Sequence, residues 1–141
     1  MKNMISNRIA DADIYNNRLY YDEPKDYYKL VLTEIVKKFE IPNSLLDIGC
    51  ANGSFLHHAQ TALIGTKLFG AEPVVDLVDI AQKNTLAEII KYGLFDIPED
   101  RQYEIITMLG VLGIFSDVVD VLTKLKKLIK PGGGYFYFFA I

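Results

Sequence analysis

The stretch Leu45-Leu46-Asp47-Ile48-Gly49-Cys50-Ala51-Asn52-Gly53-Ser54-Phe55 constrains this chain more than any other. An apolar run stops at a carboxylate, passes into a glycine-rich turn and gives way to a helical pattern. That succession predicts a buried strand, a tight turn and a helix start. Glycines reach dihedrals closed to other residues and let a ligand approach the main chain, while the new helix points unpaired amides at it. The turn reads as a binding loop.

Around it the chain alternates. Residues 1–23 are polar and dotted with Tyr15, Tyr20 and Tyr21 near Arg18, without a clean period. A helix is predicted from about Pro24 to Glu40, because Pro suits a first turn and Leu30, Val31, Ile35, Val36 and Phe39 recur at helical spacing. Strand Ser44 to Ile48 follows, then helix Ser54 to Ala62, strand Lys67 to Ala71 and helix Val74 to Lys83. Leu86 to Tyr92 makes a weak third strand whose Glu88 and Lys91 argue for an edge. Beyond the loop Gly93 to Gln102, Tyr103 to Leu109 is apolar enough to be buried on both faces. Asp117 caps a helix to about Ile129, its apolar stripe lying over a face that carries Lys124, Lys126, Lys127 and Lys130, expected to be solvated. Pro131-Gly132-Gly133-Gly134 stops that helix, and Tyr135 to Ile141 is the last strand. Strands alternating with helices predict an α/β, doubly wound, mostly parallel sheet with right-handed crossovers, its ligand at the carboxyl ends of the strands where the strand order reverses.

Composition narrows the function classes. With 141 residues and 50% hydrophobic content the chain can bury one core. A net charge of −3 and dispersed Lys and Arg leave no footprint for nucleic acid. Cys50 is the single cysteine, so an internal disulfide and a multi-thiolate metal site are excluded, which suits a reducing cytoplasm. No apolar run approaches the roughly 18 residues of a membrane span, and residues 1–10 lack the apolar centre of a signal peptide. The acids Asp96, Glu99 and Asp100 read as a solvated loop cluster, with no metal expected. His57 and His58 are consecutive on a helix and point apart, so they are expected to be solvated or half-buried.

From Ser44 to Ile141 the chain resembles the class I S-adenosylmethionine-dependent methyltransferases. Asp47-Ile48-Gly49-Cys50-Ala51-Asn52-Gly53 is similar to the family's acidic residue followed by Gly-x-Gly-x-Gly, with Ala51 in place of the middle glycine. Glu72-Pro73 stands about 20 residues further on, Tyr103 to Asp117 resembles the "fDvi...nvLeHipD" segment, and Leu128 to Tyr135 the "LLkPGGxl" segment. The resemblance implies a Rossmann-like sheet of order 3-2-1-4-5 and S-adenosyl-L-methionine as cofactor. It also implies roles: Asp47 for the amino end, Gly49 and Gly53 for the methionine part, Glu72 for both ribose hydroxyls, and Pro73, Phe95 and Asp96 at the adenine, with Cys50, Ala51 and Leu109 also beside the cofactor. Where the family carries Gly-Asp after the third strand, this chain has Gly93-Leu94-Phe95 with Asp96 next. Where many members carry a histidine after the fourth strand, it has Ile114, so no catalytic residue is assigned.

The resulting expectation is a single domain over residues 1–141: an N-terminal helical lid segment, 1–43, on a C-terminally incomplete core, 44–141. It would transfer a methyl group to a small-molecule acceptor in the cytoplasm, away from nucleic acid and membrane. Two alternatives compete. A nicotinamide-dependent oxidoreductase would use Glu72 equally well but wants a further glycine at the helix start, where Ser54, Phe55 and Leu56 stand. A non-catalytic cofactor-binding or assembly module would need no base in place of Ile114. Because the family's sheet continues past its fifth strand, the uncharged edge Tyr135 to Ile141 is expected to be covered by a missing C-terminal segment, a second copy or a rearranged N-terminal segment.

Overall fold

Period-two apolar runs and period-3.6 stripes resolve into a five-stranded sheet with helices on both faces. The computed structural model describes residues 25–138. In chain order these form α1 (Asp26–Phe39), β1 (Ser44–Ile48), α2 (Ser54–Ala62), β2 (Lys67–Ala71), α3 (Val75–Asn84), β3 (Glu88–Ile90), β4 (Tyr103–Leu109), α4 (Val118–Leu128) and β5 (Ile129–Phe138). Two short 3₁₀ turns, Leu94–Asp96 and Leu112–Ile114, follow β3 and β4. The strand order is β3-β2-β1-β4-β5 and each pairing is parallel, with Leu45 opposite both Leu68 and Ile105. The expected order and the edge position of the third strand are both present. Successive crossovers leave β1 in opposite directions, so the loops after β1 and β4 diverge at the switch point.

Because strand side chains alternate between faces, the core has two layers. Leu45, Leu68, Ile89 and Ile105 meet Tyr28, Val31, Leu32 and Ile35 of α1, with Phe55, Leu56 and Ala59 of α2. Leu46, Ile48, Phe69 and Ile106 meet Val121, Leu125 and Leu128 of α4, together with Leu94 and Ile97. Ile105 and Ile106 are both fully buried, and such a side chain contributes about 1.5–3 kcal/mol relative to exposure. The buried stripe of α1 is rotated from the expected one: Leu30 and Val36 face outward, and Tyr28 and Leu32 take the core positions.

Two boundaries differ from expectation. The third strand keeps only Glu88–Ile90, since its partner β2 ends at Ala71 opposite Ile90 and the flanking Leu86 and Tyr92 turn outward. Nor does the Pro-Gly-Gly-Gly run precede the last strand; it lies within it. Ile129, directly after α4, already pairs with Tyr103, and the next registered pair is Ile105 with Gly134, so the intervening residues form a bulge opposite Glu104. Pro131 has no N–H to give to a ladder, and Gly132 takes φ +80. At Gly133 a Cβ would press into the Glu104 carbonyl oxygen, so only glycine allows this approach. Tyr15, Tyr20 and Tyr21 and the expected strand residues Phe139, Ala140 and Ile141 lie outside the described residues.

Candidate functional site

The glycine turn leaves β1 at the switch point with alternate residues in the left-handed region: Gly49 at φ +74, Ala51 at +52 and Gly53 at +83. Ala51 holds there a conformation that costs an L side chain about 1–2 kcal/mol. Backbone bonds lock the turn to its neighbours. The Gly49 and Cys50 amides both donate to the Ala71 carbonyl, at 2.8 and 3.1 Å, and Gly53 N–H donates to Cys50 O at 2.9 Å. A Cβ at Gly49 would come within 2.6 Å of Val111 Cγ1, so the segment after β4 rests directly on the turn.

Two buried carboxylates support this arrangement. Asp47, 3% exposed, accepts a 2.7 Å hydrogen bond from the Thr107 hydroxyl, which faces it across the β1–β4 pairing. Glu72 directly follows β2 and is fully buried. Its Oε1 accepts from Ala51 N–H at 3.1 Å and its Oε2 from Val74 N–H at 3.0 Å, which stitches the glycine turn to the head of α3. Each carboxylate oxygen can accept more than one hydrogen bond. At the start of α2, Asn52 Oδ1 accepts from Ser54 N–H at 3.1 Å. Ser54 Oγ beside it is buried and finds no partner among the described residues.

Next to the turn opens a cleft of about 330 Å³. Ile48, Gly49 and Pro73 form its floor, residues 92–96 one wall, and Val111, Ile114 and Phe115 the other. The Phe95 and Phe115 rings meet edge to face, 5.7 Å between centroids, and join the two walls. A largely apolar recess with a few polar groups at its edge is the usual form of a small-molecule site.

Over residues 20–139 the chain matches the family model described as a methyltransferase domain. The chain belongs to the methyltransferase domain family. Its all-parallel 3-2-1-4-5 sheet is the class I form. A Hydrogenovibrio crunogenus protein named ubiquinone biosynthesis O-methyltransferase is 26% identical over 147 residues, spanning 91% of this chain and 60% of that protein. The plantazolicin methyltransferase BpumL, solved with a pentazolic desmethylPZN analog and SAH, superposes with a TM-score of 0.69 at 21% identity, over 90% of this chain and 53% of that one. SAM-bound CalS10, an amino pentose methyltransferase from Micromonospora echinaspora, gives 0.76 at 16% identity, over 91% and 56%. Those two likenesses speak to the fold. The methyltransferase domain described here spans between half and two thirds of the length of these proteins.

Of the residues expected around the cofactor, the methyltransferase domain brings Gly49, Pro73, Phe95 and Asp96 to the cleft surface. Asp47, Ala51, Gly53 and Glu72 lie in and beneath the turn, and the Cys50 side chain packs into the first core layer. Leu109, at the end of β4, also packs against that layer and does not line the cleft. Tyr92, Val111 and Phe115 line the cleft without having been singled out. The switch-point rule, applied to the loop after β4 as well as to that after β1, could have found Val111 and Phe115. Thr107 carried no local signal, since only the strand register sets it beside Asp47. His57 and His58 are half-buried on α2, as expected, but they do not point apart: their rings meet edge to face, 5.3 Å between centroids.

Two surface expectations are corrected. Lys124 is buried on the core face of α4 rather than on its solvated face. Glu99 is not simply a solvated loop acid, because Lys124 Nζ lies 2.9 Å from its Oε1 and Lys127 Nζ 3.8 Å from its Oε2. The hydrogen bond from Lys124 holds the Glu99 carboxyl below its usual range.

Proposed function

We propose that this methyltransferase domain binds S-adenosyl-L-methionine and takes part in transferring its methyl group to a small-molecule acceptor. One observation carries the reading: a left-handed glycine turn at the switch point, anchored by the buried Glu72 carboxylate, opens beside an apolar cleft. The residues present fit the cofactor's chemistry. Each Glu72 carboxylate oxygen is of a kind that accepts more than one hydrogen bond, which suits ribose hydroxyls, and the first-turn amides of α2 with the Ser54 hydroxyl, unpartnered among the described residues, suit a carboxylate. Asp47 favours a nearby ammonium group, while Pro73 and Phe95 supply flat apolar surface for a base. When bound, the cofactor supplies an activated sulfonium methyl group. The protein's share is then to hold donor and acceptor in line and keep water out, which the Phe95–Phe115 contact favours. A cytoplasmic setting belongs to the same proposal; among the described residues, no helix is long and apolar enough to cross a membrane.

Thermal shift tests the reading. At a hundred times its dissociation constant a ligand adds about 2.7 kcal/mol of stability. S-adenosylhomocysteine should raise the melting temperature and a nicotinamide dinucleotide should not. Stabilisation by the dinucleotide alone would overturn the assignment in favour of an oxidoreductase.

A further inference from the structure

Both walls of the cleft are tied to α4, by different means. The wall carrying Val111, Ile114 and Phe115 runs straight into the helix through Asp117, whose Oδ1 accepts from Val119 N–H at 2.8 Å. The opposite wall, with Phe95 and Asp96, is a 3₁₀ turn held by weak local bonds, Asp96 N–H to Gly93 O at 3.1 Å and Ile97 N–H to Leu94 O at 3.3 Å. Buried Leu94 and Ile97 pack it against α4, and Lys124 adds the polar attachment. That side chain leaves the core face of α4 beside Val121 and Leu125, and its Nζ donates to Ile97 O at 2.6 Å and Glu99 Oε1 at 2.9 Å. Ile97 is itself 1% exposed, so this charge-assisted pair of bonds grips the residue that closes the turn.

We propose that Lys124 is a positioning residue for the cleft: by clamping Ile97 and Glu99 to α4 it sets the distance between the wall bearing Phe95 and Asp96 and the wall bearing Phe115. The inference rests on the cofactor reading only for what the cleft holds. A lysine serves because its four-carbon stem crosses the apolar layer while the ammonium presents three donors to a carbonyl and a carboxylate at once. Lys127 adds a looser contact to Glu99 from the outside. Without the clamp, the turn would sample positions that do not fit a ligand, and apparent affinity would fall with the fraction of competent molecules.

The test compares the native 141-residue chain with Lys124→Met, Lys124→Arg and Glu99→Ala. In the ligand-free proteins, Lys124→Met should speed amide hydrogen exchange at Asp96 and Ile97 by about tenfold or more relative to β1 and β4. In calorimetry it should weaken S-adenosylhomocysteine and methylthioadenosine alike by about five- to twentyfold, with Lys124→Arg within about threefold of native. Should Lys124→Met not fold, Lys124→Gln, which shortens the stem and removes the ammonium, carries the comparison, and the same two amides must exchange faster; Glu99→Ala, which leaves the bond to Ile97 O, should speed them less. Native-like exchange at those amides overturns the clamp. Faster exchange with unchanged affinity for both ligands overturns its positioning role. A native protein that binds neither ligand overturns the cofactor reading instead, and the exchange measurement still decides the clamp.

Discussion

Glu72→Ala would remove an acceptor that two separated pieces of backbone share. The Ala51 and Val74 amides would lose their carboxylate partner at a position with no solvent exposure. Each hydrogen bond to a charged group is worth about 1.5–3 kcal/mol, so the structure puts the loss at about 3–6 kcal/mol even in the absence of ligand. Against a usual total of roughly 5–15 kcal/mol this is a large fraction. At about 3 °C per kcal/mol for a chain of this size, the melting temperature should fall by about 10–20 °C. Glu72→Gln separates the contributions: it keeps the shape and one acceptor oxygen but turns an amide NH₂ towards a backbone N–H, and should cost about 2–3 kcal/mol. Urea unfolding of the ligand-free proteins measures both, and calorimetry with S-adenosylhomocysteine reads the loss of binding in whatever stays folded. If Glu72→Ala unfolds within about 1 kcal/mol of the native protein, the two bonds do not hold the turn and the reasoning fails.

Gly49→Ala should cost about 2–4 kcal/mol, from left-handed strain and from overlap with Val111, and Val111→Ala in the same chain should recover part of it; a double-mutant cycle without coupling would refute the close approach. Ala51→Gly should be neutral or stabilising by up to about 1 kcal/mol, because relief of strain at φ +52 offsets the added chain entropy; a loss larger than that in urea unfolding would count against the turn geometry. The Glu99 carboxyl is held below its usual range by the Lys124 hydrogen bond, so its contribution is present above its unfolded-state value near 4.5 and is lost as pH falls through the lower folded-state value. Glu99→Gln should lower stability by a constant amount from about pH 6 to 8 and converge with the native protein in acid, which flattens the acid limb of the stability–pH curve; an acid limb identical to the native one would exclude the pair.

What the sequence determined by itself was local. β1, α2, β2 and β4 have the boundaries that periodicity and glycine placement assign, because the alternation of apolar residues and the turn chemistry act over a few residues. The order of elements then limited the fold to a parallel doubly wound sheet, and the glycine turn marked the loop beside which the cleft opens. Contacts between distant segments were another matter. Thr107 reaches Asp47 from 60 residues away, Ala51 reaches Glu72 from 21, and Lys124 reaches Ile97 from 27. Lys124 reads as a solvated lysine in any window of sequence, and only the packing of α4 over the 94–97 turn turns it inward. The bulge at Pro131–Gly133 likewise looks like a helix stop until β4 is laid beside it. Periodicity records which face of an element is apolar; strand register and helix packing decide which buried polar groups meet, and the site is built from those meetings.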